Sequence, residues 1–89
     1  MDRMDELTAF LAIVEKGGQT AAARHLRRSL QSTNRSLARL ERSVGVELVS
    51  RTTRRSSPTE AGLAFYRRVK PALMEIDDAK SEAASRRMT

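Results

Sequence analysis

Residues 29–43 read SLQSTNRSLARLERS, and the way this stretch folds decides how the rest of the chain is read. Wound as a helix at 100° per residue, Ser29 to Val44 puts Leu30, Thr33, Leu37, Leu40 and Val44 on one side, spaced three or four apart. Gln31, Arg35, Arg39 and Arg42 fall on the other side, with Ser32 beside them. One face is apolar enough to bury; the other carries donors and positive charge. Upstream, TAAARHLRR (residues 20–28) predicts a short helix, and downstream RTTRRSS (residues 51–57) predicts a basic hairpin. Two helices joined by a turn of a few residues make a helix-turn-helix, and the hairpin adds a wing.

Charge gives this geometry a partner. The chain of 89 residues carries a net charge of +6 and a pI near 11, above the level usually read as nucleic-acid binding. Nine arginines against two acids (Glu41, Glu47) give residues 24–55 a net +7, so the remainder sums to −1. Positive charge concentrated in this way binds phosphates through counterion release. A merely solvated basic surface is the plainer alternative.

Other classes fit less well. Without Cys there is neither a disulfide framework nor a thiolate metal site, and one His (His25) cannot build a multi-His cluster. No metal or other cofactor is expected. Glu41 and Glu47 have no paired carboxylate on the same face, and His25 has no evident acid to orient it. No Gly-rich phosphate loop occurs, so an enzyme is not expected, and His25 reads as a surface residue. Low aromatic content argues against stacking platforms for single strands. The start, MDRMDE, is net acidic and no signal-peptide or membrane-spanning pattern follows, so a cytoplasmic, nucleoid-associated protein without membrane partners is expected.

The flanks complete the architecture. Met4, Leu7, Phe10, Leu11 and Val14 share a face of a first helix over residues 4–16, which Gly17 should stop. Gly18 or Thr20 caps the second helix; Thr20 at a helix N-terminus is equally suited to a phosphate. Ser29 caps the third and Gly45 ends it. Residues 46–51 alternate as a strand, Thr52 to Arg54 form the tip, Arg55 to Ser57 return, and Pro58 should stop the pairing. Arg51, Arg54 and Arg55, with Thr53 between them, could straddle a phosphate backbone or enter a minor groove, or simply be solvated. Thr59 caps a last helix with Glu60 in its first turn. Along it Phe65, Val69, Ala72, Ile76, Ala79 and Ala83 form a heptad-like stripe, widened by Tyr66 and Leu73. The stripe outruns what three short helices need, which suggests a homodimer, with folding back as core the alternative. Pro71 should kink the helix near residues 67–71 or split it in two. The fold class is thus mainly α: a winged helix-turn-helix (three helices and a two-stranded wing) over residues 1–58, then a long linker or dimerisation helix over 59–89.

These residues resemble the N-terminal DNA-binding domain of LysR-type transcriptional regulators, a bacterial family. Leu7, Phe10, Val14 and Glu15 precede Gly17; Thr20, Ala22, Ala23 and Leu26 follow. Ser29 then opens a run of Arg35, Leu37, Leu40, Glu41, Gly45, Leu48, Arg51 and Arg54, with Thr59, Ala61 and Gly62 at the start of the last helix. The resemblance needs no gap between Met4 and about Leu73. It implies antiparallel dimerisation through the last helix, Thr20 on phosphate, Arg35 in the major groove, and Arg51 and Arg54 in a wing on backbone or minor groove. The family's small-molecule effector domain has no counterpart in these 89 residues, so an effector would act only through a domain absent here. Departures stand at Gly18-Gln19, Leu30-Gln31, Asn34, Val49 and Pro58, three of them (Leu30, Gln31, Asn34) where bases are read, so base preference cannot be carried over. Asn and Gln suit adenine, and Arg suits guanine. Gln31 and Arg35 are therefore expected to read bases, with Asn34 at the flank, while Ser32 and Arg39 serve phosphates. The expected function is sequence-specific binding of double-stranded DNA at an inverted-repeat operator. Its competitor is a module for protein pairing, or for coating DNA without sequence choice.

Overall fold

The computed structural model describes residues 3–52 and 55–87. Its elements run α1 (Arg3–Lys16), α2 (Gln19–Leu26), α3 (Leu30–Val44), β1 (Val49–Thr52), β2 (Arg55–Pro58) and α4 (Glu60–Arg86). Helices α1, α2 and α3 pack around Phe10, Ile13, Ala22, Leu37 and Leu40, and Leu48 and Val49 close the core from the hairpin side. Apolar side chains at helical spacing account for this arrangement, because each short helix has one stripe to bury and none can bury it alone.

Ser29 caps α3 as expected, its Oγ accepting from the Ser32 N–H at 3.0 Å. Gly45 ends the helix with φ of 81°, a conformation that any side chain would strain, and its N–H reaches the Glu41 carbonyl at 2.8 Å. The buried face of α3 differs from expectation. Thr33, Ser36, Leu37 and Leu40 are buried, while Leu30 and Val44 are 44% and 40% exposed. On a helical wheel the buried arc is rotated by about 30° toward Ser36, and the two excluded residues sit on the first and last turns of the helix.

At α2, Gly18 takes the N-cap position without a side-chain bond, so Thr20 lies within the first turn. Arg27 ends α2 in the left-handed region, φ 56°.

The hairpin is shorter than the alternation of residues 46–51 suggested. Pairing begins at Val49, antiparallel in the register Val49↔Pro58, Ser50↔Ser57, Arg51↔Ser56 and Thr52↔Arg55. The cause is Glu41, whose carboxylate takes the N–H groups of Leu48 and Val49 at 2.7 and 3.1 Å and folds this segment back on α3. Pro58 belongs to the pairing rather than stopping it. Its missing N–H costs nothing at the last rung, where Thr59 donates instead to the Leu48 carbonyl at 3.0 Å.

Thr59 caps α4, its Oγ1 accepting from the Gly62 N–H at 2.9 Å and donating to the Glu47 carbonyl at 2.7 Å. Gly62 is buried against the Leu48 backbone: a Cβ there would lie 2.0 Å from the Leu48 carbonyl oxygen. Helix α4 then runs unbroken through Pro71, so the expected division into two helices does not occur. Pro71 and Arg67 are both exposed, which leaves water free to satisfy the Arg67 carbonyl that lacks a helical donor.

Phe65 packs edge-to-face on Phe10, with centroids 5.5 Å apart, and Leu73 is buried. Both therefore serve this chain's own packing. Glu15 joins α1 to α4 by accepting from the Tyr66 hydroxyl at 2.7 Å and from the Lys70 ammonium. The Lys70 hydrogen bond, with help from Tyr66, holds the Glu15 carboxyl below the usual carboxylate range against a smaller opposing effect of burial. Beyond Leu73 every described residue of α4 is exposed. The radius of gyration, 14.4 Å, exceeds the roughly 12 Å of a compact chain this long, because α4 projects past the core.

Candidate nucleic-acid interface

With one face of α3 held in the core, the opposite face is fixed toward solvent. Gln31 and Arg35 are exposed there, and neither side chain has a hydrogen-bond partner among the described residues. Together with Asn34 and Ala38 they line a shallow, open depression of about 520 Å³. Asn34 is half-buried, and its Oδ1 is shut away from solvent without a partner. Its position on the wheel explains this, since it falls beside Leu30 and Leu37 at the edge of the apolar arc. The expected base-reading trio is therefore brought together, with Asn34 set lower than the other two.

The expected phosphate contacts are more dispersed. Thr20 is exposed in the first turn of α2. Arg39 is exposed but lines a different depression, beside Arg3 and Glu6 of α1, Val44 and Phe65. Ser32 is half-buried, and its hydroxyl accepts from Arg28 at 3.0 Å (Nε) and 2.6 Å (Nη2). Of the wing, Arg51 and Arg55 are placed by backbone pairing, and Thr53 and Arg54 lie outside the described residues.

Two functional side chains escaped the reading of the sequence. Arg28 reads from the sequence as part of the turn and as one more positive charge, yet it binds across the turn to Ser32 and Ser36. Glu41 enters the sequence reading as a charge, an unpaired carboxylate and a residue of the family pattern, with no structural role, yet it ties α3 to the hairpin. The signal for Arg28 was its spacing of four and eight residues from two serines, which stacks them on one side of a helix. Of the stripe on α4, Phe65 and Leu73 are taken by the core, Val69 is half-buried, and Ala72, Ile76, Ala79 and Ala83 are exposed. His25 is exposed. No helix among the described residues is long and apolar enough to cross a membrane.

Three helices, with a turn leading into the capped third helix, and a two-stranded hairpin define a winged helix-turn-helix protein. Residues 4–63 match the family described as bacterial regulatory helix-turn-helix protein, lysR family, and the chain belongs to that family. It is 40% identical over 78 residues to the HTH-type transcriptional regulator CrgA of Neisseria meningitidis, covering 88% of this chain and 26% of that one. It is 35% identical over 82 residues to the HTH-type transcriptional activator AaeR of Escherichia coli, covering 92% and 26%. The chain thus spans about a quarter of the length of these curated relatives. Among solved structures it is similar to the BenM DNA-binding domain in complex with catB site 1 DNA, with a TM-score of 0.86, 29% identity and coverage of 93% and 91%. Full-length CbnR complexed with its target DNA gives a TM-score of 0.83 at 30% identity, with coverage of 93% and 28%.

Proposed function

We propose that this chain is the sequence-specific double-stranded DNA-binding domain of a bacterial transcriptional regulator, and that it binds an inverted-repeat operator as a homodimer. Helix α3 enters the major groove, and the wing, through Arg51, Thr53, Arg54 and Arg55, lies on backbone or minor groove. Residues 1–58 form the DNA-facing unit and residues 59–89 the pairing helix. The observation that carries the reading is the pair Gln31 and Arg35, exposed side by side and unengaged, on a helix whose other face is immobilised. Side chains with free donors and acceptors on a rigid helix are what edge-on base recognition needs. Thr20, Ser32 and Arg39 contact phosphates around them. The likeness to BenM and CbnR, both solved with DNA, supports the same docking here.

Pairing uses what remains exposed on α4. Since Phe65 and Leu73 are occupied within the chain, Val69, Ala72, Ile76, Ala79 and Ala83 are the stripe left for a second copy.

Selection from random duplex DNA at two salt concentrations tests the reading. The expected product is one inverted repeat with half-sites about 34 Å apart, bound roughly 10³-fold or more above random duplex. Uniform recovery of all sequences would refute it and favour coating without sequence choice. Sedimentation of the free protein checks the dimer, and a monomer at all concentrations would refute pairing through α4.

A further inference from the structure

Arg28 stands out among the basic residues because its guanidinium is turned inward along α3. Its Nη2 donates to the Ser32 carbonyl at 2.9 Å, to the Ser32 hydroxyl at 2.6 Å and to the Ser36 hydroxyl at 2.6 Å, and its Nε donates to the Ser32 hydroxyl at 3.0 Å. Ser36 is fully buried, and a hydroxyl on that face calls for a partner. Arg28 supplies one from the turn between α2 and α3, so a single fork spans the first two turns of the DNA-facing helix.

The fork has a chemical consequence for Ser32. A serine hydroxyl has two lone pairs and one proton. Nε and Nη2 of Arg28 converge on one side of the Ser32 oxygen, and a guanidinium accepts nothing, so the hydroxyl proton is turned away from Arg28 and is free to donate. A donor in the first turn of a helix, next to unpaired backbone N–H groups and a fixed cation, matches an acceptor-only oxygen such as that of a phosphate.

Resting on the DNA-binding reading above, we propose that Arg28 is a positioning residue. It sets the angle of α3 through Ser36 and commits the Ser32 hydroxyl to donating to a phosphate oxygen, without itself being a phosphate contact. The two roles differ in their salt dependence. A phosphate-bound arginine contributes about 0.9 to the slope of log affinity against log salt, whereas a neutral hydroxyl releases no counterion.

The test uses the 89-residue chain and two fluorescent duplexes: the inverted repeat recovered by the selection, and one of scrambled sequence. Binding by the unaltered chain tests the DNA reading alone; the variants test Arg28. Arg28→Lys keeps the charge but cannot form the fork. It should lower the ratio of specific to scrambled binding by about tenfold with the salt slope unchanged. Ser32→Ala should weaken both duplexes alike, and the double variant Arg28→Lys/Ser32→Ala should lose less than the two single losses combined. Circular dichroism confirms that each variant is folded; Ser36→Ala, which removes only one end of the fork, repeats the measurement if Arg28→Lys is not. Wild-type behaviour of Arg28→Lys would overturn the proposal, because charge alone would then suffice. So would an Arg28→Gln variant whose slope falls by about 0.9 with an unchanged ratio, since that is the signature of a direct phosphate contact.

Discussion

Replacing Gly62 by Ala separates two opposed effects. Gly62 lies in the first turn of α4, where Ala is the better helix former by about 1 kcal/mol. Propensity alone therefore predicts a gain in stability. The packing predicts a loss. The new Cβ would sit 2.0 Å from the Leu48 carbonyl oxygen, and ordinary contact begins at 3.4 Å, so the helix and the Leu48 turn must part by about 1.4 Å. The obstacle is backbone and has no rotamer to move into. Overpacking of this kind costs about 1–3 kcal/mol. The separation would also break the 3.0 Å bond from the Thr59 N–H to the same Leu48 oxygen, worth about 1 kcal/mol. After the propensity gain is credited, the net loss is about 2 kcal/mol, or roughly 10 °C in Tm for a domain of this size. Thermal unfolding followed by circular dichroism measures it, with Ala64→Gly at an exposed position of the same helix calibrating propensity. A Gly62→Ala variant melting at or above the wild-type temperature would refute the close-approach argument.

Other expectations follow from the same contacts. Glu41→Ala removes the acceptor for the Leu48 and Val49 N–H groups and should cost about 2–4 kcal/mol, seen as a lower urea midpoint; an unchanged midpoint would mean that water replaces the carboxylate. Ser29→Ala should cost about 1 kcal/mol through loss of the α3 cap, and Ser29→Gly less, in the same melts. Glu15 has a carboxyl held below its ordinary pKa by Lys70 and Tyr66, so it adds stability above its ordinary pKa of 4.5 and loses it as pH falls through the lower folded value. Tm measured from about pH 3 to pH 7 should therefore fall less steeply at the acid end for Glu15→Gln than for wild type; parallel curves would contradict this. Gln31→Ala should lower affinity for the selected operator by about tenfold while leaving scrambled duplex unaffected, and equal weakening of both would remove Gln31 from base reading.

Much of the fold was legible because periodicity reports burial directly. Ser29, Gly45 and Thr59 marked their helix ends through local chemistry that needs no tertiary context. Pro58 and the start of β1 were misplaced because the deciding partners, Glu41 and Thr59, approach from other elements. Leu30 and Val44 matched the apolar pattern of α3, but a pattern cannot show which of its members the neighbouring elements cover. The candidate site divided in the same way. The exposure of Gln31 and Arg35 follows from angle alone. So does the lower seat of Asn34, whereas the inward turn of Arg28 depends on how α2 and α3 meet, and a count of charges treats every arginine alike. The stripe on α4 was visible, but which of its members belong to Phe10 and the core rather than to a partner was not.

The three residues Glu47, Leu48 and Val49 are gripped from both sides, by Glu41 of α3 at their N–H groups and by Thr59 at their carbonyls. With Gly62 seated against the same backbone, no slack separates the long helix from the wing or the wing from α3. On the proposed docking, a tilt imposed at the far end of α4 would be delivered, as by a tiller to its rudder, to α3 and the wing at once.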